Sequence, residues 1–415
     1  MTAVPPHAAQ LDAALQQAIR LHQGGRPAEA ERIYRNLLHY LPGHPRICNY
    51  LGIALKDQGK VVEAAAAFQR AVDVAPDFVP ALSNLGNVLF EQGKRAEAEA
   101  VYRRVLASGP DMPDTLKNLA LLIVDSGRFA ESFPYFRRHA ELTYGGAPGA
   151  ARAHGQTPPY KAKHDEEQRE YLKRSEEAGA GATPPFHLEE GARVAGNAVN
   201  PDTSGGEIAA KWANRSPQIA VIDNLLTDEA LDRLRQYCLR STMWQKPYPN
   251  GYLGAMPEHG FACPLLAQIA DELRGAYPAI IGEHPVLRWW GFKYDSQLTG
   301  INIHADFAAI NVNFWITPDE ANRDPESGGL IVWDTPAPLD WTFAQYNAPD
   351  AGQRIRDLLA QTGAKSVNVP YRANRAVIFD SDLFHETDRI AFEDGYENRR
   401  MNITLLYGRR EAAAR

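Results

Sequence analysis

The chain has 415 residues, 44% of them hydrophobic and 23% charged, which is too much for one ordinary core and unlike disordered, collagenous or membrane-spanning sequences. A formal charge of −7 leaves no basic surplus to neutralise a phosphate backbone, so nucleic acid is not an expected partner. Cys48, Cys238 and Cys263 are far apart and form no CxxC pair, as suits small buried hydrophobes in a reducing compartment. The start, MTAVPPHAAQ, has no basic patch followed by an apolar run, and no apolar stretch reaches the roughly 18 residues of a membrane span. The expectation is a cytoplasmic protein with no membrane segment.

Residues 1–146 repeat with a period of 34. Gly25, Gly59, Gly93 and Gly127 keep that step, and a basic residue follows each. So do Glu29, Glu63, Glu97 and Glu131, the small residues Ala30, Ala64, Ala98 and Ser132, and the aromatics Tyr34, Phe68, Tyr102 and Phe136. A second small position runs Ala18, Gly52, Gly86 and Ala120, while Pro42, Pro76 and Pro110 close the first three units. This spacing predicts stacked helical hairpins: glycine ends the first helix, small residues admit the neighbouring helix, the aromatic fills the gap, and proline ends the second helix. One hairpin cannot bury its apolar face alone, so several must stack. Pro134 falls within the second helix of unit four, where a kink is expected.

The pattern resembles the tetratricopeptide repeat, whose small, small and aromatic positions are filled in unit two by Gly52, Ala64 and Phe68. The resemblance implies an α-solenoid of about four units whose concave face binds an extended peptide or another protein. Asn84 and Asn118 share one position on the first helices of units three and four, with Asn87 one turn along. They resemble the asparagine ladder with which the repeats of O-linked N-acetylglucosamine transferase hold a peptide backbone. The other readings are solvated helix residues, and a groove used for dimerisation or for docking on the chain's own second half.

From Gly145 to about Ser216, GGAPGA, TPP, GAGATPP and NPDTSGG mark loop and extended chain. Between them KAKHDEEQREYLKRSEE predicts a charged, solvated helix, with His164, Asp165 and Glu166 on its wet face. After Gln218, IAVIDNLL predicts a strand, and Thr227 an N-cap for the helix DEALDRLRQYCL. A second helix is expected over PLLAQIADELRGA. Beyond Arg288 come short strands: WWGFKY, INIHAD, AAINVNFWIT, GGLIVWD, RAVIFD and MNITLLYG. These predict an all-β sandwich or barrel with helices in front. The stretch from about Thr335 to Ser366, with Trp341 and Tyr346, is expected to form loops walling a pocket.

His304 and Asp306 stand at i and i+2 on a predicted strand, hence on one face, and His385 lies just after RAVIFD. Two imidazoles and one carboxylate on one side of a metal leave three adjacent positions open, which suits Fe(II) that must take a chelating co-substrate and dioxygen together. Zinc-assisted hydrolysis is the competing chemistry for such ligands. Gly328-Gly329 precede LIVWD, and Arg400-x-Asn402-x-Thr404 opens the last strand. Arg399 and Arg400 must face opposite ways, so only one can enter a barrel.

In this order, His-x-Asp, glycine pair and strand, distal histidine, then basic strand, residues 217–410 resemble the 2-oxoglutarate dioxygenases, and the prolyl hydroxylases among them. The RxNxT string is similar to the final strand of the AlkB-type dealkylases. Leu406 stands where those carry a second arginine, so their substrate chemistry does not transfer. The resemblance implies a multidomain α and α+β chain: repeats over 1–146, a linker with a charged helix over 147–216, and over 217–415 a double-stranded β-helix (jelly-roll, cupin-like) barrel with supporting helices. It implies Fe(II) on His304, Asp306 and His385, with 2-oxoglutarate and dioxygen as co-substrates and ascorbate in support. Arg400 is favoured as the anchor for the far carboxylate, with Asn402, Tyr294 and Asn302 as further co-substrate residues and Asn311 and Asn313 lining the pocket. Related halogenases lack the carboxylate, so Asp306 points to hydroxylation of a C–H bond with succinate and CO2 as co-products. Three functions follow: a hydroxylase of a protein or peptide recruited by the repeats, a small-molecule oxygenase whose repeats serve assembly, and a non-catalytic repeat scaffold carrying an inactive oxygenase fold.

Overall fold

The structure, a computed structural model, describes residues 8–109, 112–146, 157–177, 186–203, 205–214, 217–298, 303–338, 340–341, 345, 348 and 351–410. Contacts gather into two compact units, Met1–Ser126 and Gly127–Arg415.

The first unit is a run of antiparallel helices: α1 (Ala8–Gln23), α2 (Pro27–Tyr40), α3 (Pro45–Asp57), α4 (Val61–Val74), α5 (Val79–Glu91), α6 (Arg95–Ser108) and α7 (Pro113–Asp125). Gly25, Gly59, Gly93 and Gly127 all have φ between +74° and +77°, a conformation that costs other residues dearly. Proline opens α2, α3 and α7, where its missing N–H has no partner to lose. The small-to-aromatic register has a direct steric cause. A methyl group on Gly52 would meet the Phe68 ring at 2.5 Å, and one on Gly86 would meet the Tyr102 ring at 2.6 Å.

The second unit opens with the remainder of the fourth repeat. The register places Pro134 as a kink inside a helix; instead Ala130–Ser132 form a 3-10 turn and α8 (Phe133–Tyr144) begins just before the proline. Pro134 therefore lies in the first helical turn, where it is tolerated. Next come α9 (Pro159–Glu177), α10 (Gly205–Asn214), β1 (Ile219–Ile222), α11 (Asp228–Arg240), β2 (Lys246–Tyr248), β3 (Tyr252–Ala255), α12 (Pro264–Ala276), β4 (Val286–Tyr294), β5 (Gln297–Leu298), β6 (Ile310–Trp315) and β7 (Leu330–Pro336). They are followed by α13 (Ala351–Thr362), β8 (Ser366–Val369), β9 (Ala376–Asp380), β10 (Leu383–Thr387), β11 (Ile390–Ala391) and β12 (Met401–Tyr407). Thr227 caps α11 by accepting from the Ala230 amide.

The strands form a seven-stranded sheet in the order β1-β9-β6-β12-β4-β3-β2, a three-stranded sheet β10-β7-β8 and the pair β11-β5, all antiparallel. The large and small sheets face each other across a core that includes Ile219, Tyr294, Trp315 and Phe379 from one and Leu330, Val332, Val369 and Leu383 from the other. The large sheet's other face lies under helices. There Trp289 meets Phe129, Phe133 and Phe136 at ring separations of 4.7, 5.7 and 5.7 Å, and Tyr407 hydrogen-bonds Ala270 O of α12.

Three expectations change. Within INIHAD the described residues, 303–306, form no strand, and His304 makes an isolated bridge to His385. The stretch after Thr335 contains α13, whose Ile355 and Leu359 pack with Phe384 beneath the small sheet. Finally, α9 is solvated on one face only: Glu166 is exposed and Asp165 half-buried, but His164 is not on the wet side. His164 is fully buried and Lys161, Gln168 and Leu172 are largely so, on the face where Gln168 donates to Leu239 O and Ser241 O at the end of α11. Burial pushes the His164 imidazole well below its usual range. The three cysteines are buried and unpaired, and no helix among the described residues is long and apolar enough to cross a membrane.

Candidate metal centre and polar stripe

His304 and Asp306 reach the site from the segment before β6, and His385 from the middle of β10. Reciprocal backbone hydrogen bonds join His304 and His385, at 3.0 and 2.8 Å, and Asp306 N donates to Ser381 O at 3.1 Å. These bonds bring residues about 80 apart in sequence to one point. One ligand atom from each of the three side chains lies within 4.8 Å of the others, so the trio can hold a single ion. The imidazole rings are 4.4 Å apart, and Phe379 covers His385 from 4.9 Å.

The surrounding groups orient these donors. His385 Nδ1 donates to Leu383 O at 3.0 Å, which turns the lone pair of Nε2 toward Asp306 Oδ2, 3.5 Å away. Asn311 Nδ2 donates to the same Asp306 oxygen at 2.8 Å, an outer-shell partner of the kind that orients a ligating carboxylate. Burial opposes ionisation of Asp306, yet the neighbouring imidazoles of His385 and His304 and the hydrogen bond from Asn311 together hold its carboxyl below the ordinary carboxylate range.

A stripe of polar side chains lines the inward faces of β6 and β12. Asn313 Nδ2 donates to Thr404 Oγ1 at 3.0 Å, Asn402 Nδ2 to the same hydroxyl at 3.4 Å, and Arg400 Nη1 to Asn402 Oδ1 at 3.2 Å. Asn311 Oδ1 and Asn313 Oδ1 are buried acceptors with no partner among the described residues. Such atoms are costly unless something polar enters.

Arg400 closes the stripe. Its guanidinium is 1% exposed and sits 4.7, 5.6 and 5.9 Å from the rings of Tyr294, Trp315 and Tyr371. Nε donates to Gly328 O at 2.6 Å and Nη2 to Gly329 O at 3.4 Å. Together with Asn402 these acceptors are neutral carbonyls, the Tyr294 hydroxyl is a further neutral partner, and the Asp388 carboxylate favours the charged form, although among the described residues no carboxylate accepts a hydrogen bond from it. Burial lowers its pKa from the ordinary value, but a guanidinium stays cationic in proteins. A buried cation whose hydrogen bonds all go to neutral oxygens keeps charge to offer an anion.

The glycine pair explains itself here. Gly328 has φ +78°, and a methyl group on Gly329 would overlap Val369 O and sit 2.8 Å from the Pro370 carbonyl carbon. Only glycine lets these two carbonyls approach Arg400. Gly329→Ala is expected to cost about 1–3 kcal/mol through overpacking, seen as a lower thermal midpoint. Gly206→Ala, where nothing lies within 4 Å, is the control, and equal midpoints for the two would overturn this assignment.

Arg399 faces the other way, with Nε and Nη2 donating to Glu167 Oε2 at 2.9 and 2.8 Å and Nη1 to Asp295 Oδ1 at 3.0 Å. Tyr294, Asn402, Asn311 and Asn313 all join the stripe or its Arg400 end, whereas Asn302 lies outside the described residues. Sequence reasoning missed the carbonyls of Gly328 and Gly329 and the rings of Trp315 and Tyr371; the glycine pair was their one visible sign.

In the first unit, Asn84 Nδ2 donates to Asn49 Oδ1 at 2.9 Å, and Asn118 Nδ2 to Asn87 Oδ1 at 2.8 Å. The Tyr102 hydroxyl also donates to Asn87 Oδ1. These amides therefore tie α5 to α3 and α7 to α5, and Asn49 belongs to the set although its position in the register differs.

Residues 15–77 and 55–120 match family models of the tetratricopeptide repeat, and the N-terminal region is built of such repeats. No curated protein matches the chain significantly. Similar solved structures include a crystal structure of MamA, at 20% identity over 32% of this chain and 77% of that one, with a TM-score of 0.31. A MamA chain from Desulfovibrio magneticus RS-1 has 18% identity, covers 41% and 88%, and scores 0.31. The first TPR of Spaghetti (RPAP3), bound to the HSP90 peptide SRMEEVD, has 20% identity, covers 29% and 95%, and scores 0.28.

Proposed function

We propose that the second unit is an Fe(II)- and 2-oxoglutarate-dependent oxygenase with a double-stranded β-helix core, and that it hydroxylates a C–H bond in a protein or peptide side chain recruited by the repeats. One observation carries the reading: His304, Asp306 and His385 converge within 4.8 Å at one end of a polar stripe whose other end is a buried arginine with only neutral acceptors. The donor set, two imidazoles and a carboxylate, fits ferrous iron with open positions.

When bound, ferrous iron would supply the centre at which dioxygen, 2-oxoglutarate and the C–H bond react, with succinate and CO2 as co-products. The chain's own residues prepare that centre. Leu383 O fixes the tautomer of His385, and Asn311 orients Asp306. Gly328 O, Gly329 O and Asn402 Oδ1 hold the Arg400 fork so that its charge can take the far carboxylate of a five-carbon diacid. Trp315, Tyr371 and Tyr294 surround that fork and exclude water, which strengthens the ion pair. Protein recruitment is the natural use of the repeats, which are interaction modules.

A second reading, an interaction scaffold with an inactive oxygenase fold, is favoured by family matches that fall within residues 15–120. One assay separates the two. Purified chain with Fe(II), ascorbate, oxygen and 2-oxoglutarate is expected to release succinate slowly without any substrate. No succinate and no bound metal would leave the scaffold.

A further inference from the structure

Lys293 and Tyr294 are neighbours on β4, and Arg399 and Arg400 are neighbours at the start of β12. Tyr294 N donates to Arg400 O at 3.0 Å and ties the two pairs together. Strand alternation sends Tyr294 and Arg400 inward to the anion-binding end of the stripe, and Lys293 and Arg399 outward. The outward pair lies under α9. Arg399, 4% exposed, is held by Glu167 of α9 at 2.8 and 2.9 Å. Lys293 Nζ lies 3.3 Å from the centroid of the Tyr396 ring, which also packs on His164 and Tyr171 of α9 at 5.4 and 5.2 Å.

A second route reaches the inward pair from the start of the same helix. The Tyr160 hydroxyl donates to Tyr248 O at 2.5 Å. Tyr248 stacks on Tyr252 at 4.5 Å, and Tyr252 on Tyr294 at 5.4 Å. Tyr294 lies against Arg400. The helix thus grips the anchor from behind through Arg399 and from the side through a column of three tyrosine rings.

We infer that α9 is a working part of the site. Glu167 and Tyr160 are positioning residues for Arg400, and filling the Arg400 end with 2-oxoglutarate tightens α9 on the sheet. The inference rests on reading the stripe as a 2-oxoglutarate site. Linkage makes it reciprocal: whatever factor α9 docking adds to 2-oxoglutarate affinity, 2-oxoglutarate adds to α9 docking.

The test uses the full chain loaded with Mn(II) in place of Fe(II), so that nothing turns over. Calorimetry gives the affinities, and amide hydrogen exchange reads α9. In the unaltered chain, saturating 2-oxoglutarate is expected to slow exchange across residues 161–172 at least about fivefold, the lower end of typical coupling. Glu167→Ala is expected to weaken 2-oxoglutarate by a similar factor while Mn(II) affinity stays the same, with Glu167→Asp recovering part of the loss. Tyr160→Phe, which keeps the ring and loses only the hydroxyl, should weaken 2-oxoglutarate in the same direction. A chain that binds 2-oxoglutarate while α9 exchange stays unchanged overturns the inference alone, as does wild-type 2-oxoglutarate affinity in Glu167→Ala. Failure of the unaltered, Mn(II)-loaded chain to bind 2-oxoglutarate overturns the site assignment itself, and the inference with it.

Discussion

Asp306→Ala is expected to remove bound Fe(II) from the chain and to lower succinate formation from 2-oxoglutarate by more than about 100-fold, beyond what loss of an outer-shell partner brings. The carboxylate is the one anionic donor of the trio. Without it, two imidazoles face a divalent cation with no negative charge to offset the desolvation of the ion. Asn311→Ala is the instructive comparison. Its amide touches Asp306 at 2.8 Å and is not one of the three ligands, so its loss should cost about 10–100-fold in metal affinity. Metal content by atomic absorption and succinate by mass spectrometry check both. Equal effects for the two variants would remove Asp306 from the ligand set, provided that their circular dichroism matches the unaltered chain.

Removing residues 1–146 is expected to unfold the second unit, whereas removing residues 1–126 leaves it folded. The difference is α8 and the turn before it. Phe129, Phe133 and Phe136 enclose Trp289 of β4, which is 2% exposed. Arg137 ties the same helix to Glu189 O at 2.7 Å and Leu188 O at 3.1 Å, and Tyr144 stacks near Phe186 and His259. Truncating one buried phenylalanine costs about 3–5 kcal/mol, and the loss of three rings rivals the whole stability of a typical domain, about 5–15 kcal/mol. Thermal melts of the two shortened chains decide the matter. Midpoints within a few degrees of each other would show that Trp289 does not depend on α8.

The repeats were legible because their information is local. Each glycine, small residue and aromatic occupies a fixed place in a hairpin, and Gly52 against Phe68 shows why both residue types are needed. The meeting of His304, Asp306 and His385 was legible for a different reason: these residue types in that order stand out without any knowledge of packing. What stayed hidden depends on distant partners. KAKHDEEQREYLKRSEE looks wet because its own composition is polar, and only α11, Tyr396 and Arg399 make its His164 face dry. Lys293 alternates with inward Phe292 and Tyr294 and so looks solvated, yet it is 1% exposed. In the described part of INIHAD, residues 303–306, the expected strand is reduced to the bridge between His304 and His385. The short strands β8 and β10 carry little pattern of their own, and they exist because β7 lies between them.

Gly52 receives Phe68, and Gly86 receives Tyr102; in each case donor and acceptor of the ring belong to one hairpin. Between hairpins, the described polar links include the amide pairs Asn49 with Asn84 and Asn87 with Asn118 and the side-chain links of His22 with Asp57, Arg35 with Glu63, Lys60 with Glu31 and Lys56 with Glu91. The tight fit of ring against glycine is thus self-contained within each 34-residue module, and polar side-chain links carry the joints. Gene duplication could lengthen or shorten such an array by whole modules without redesigning any lock, so the reach of the arm can evolve independently of the chemistry it serves.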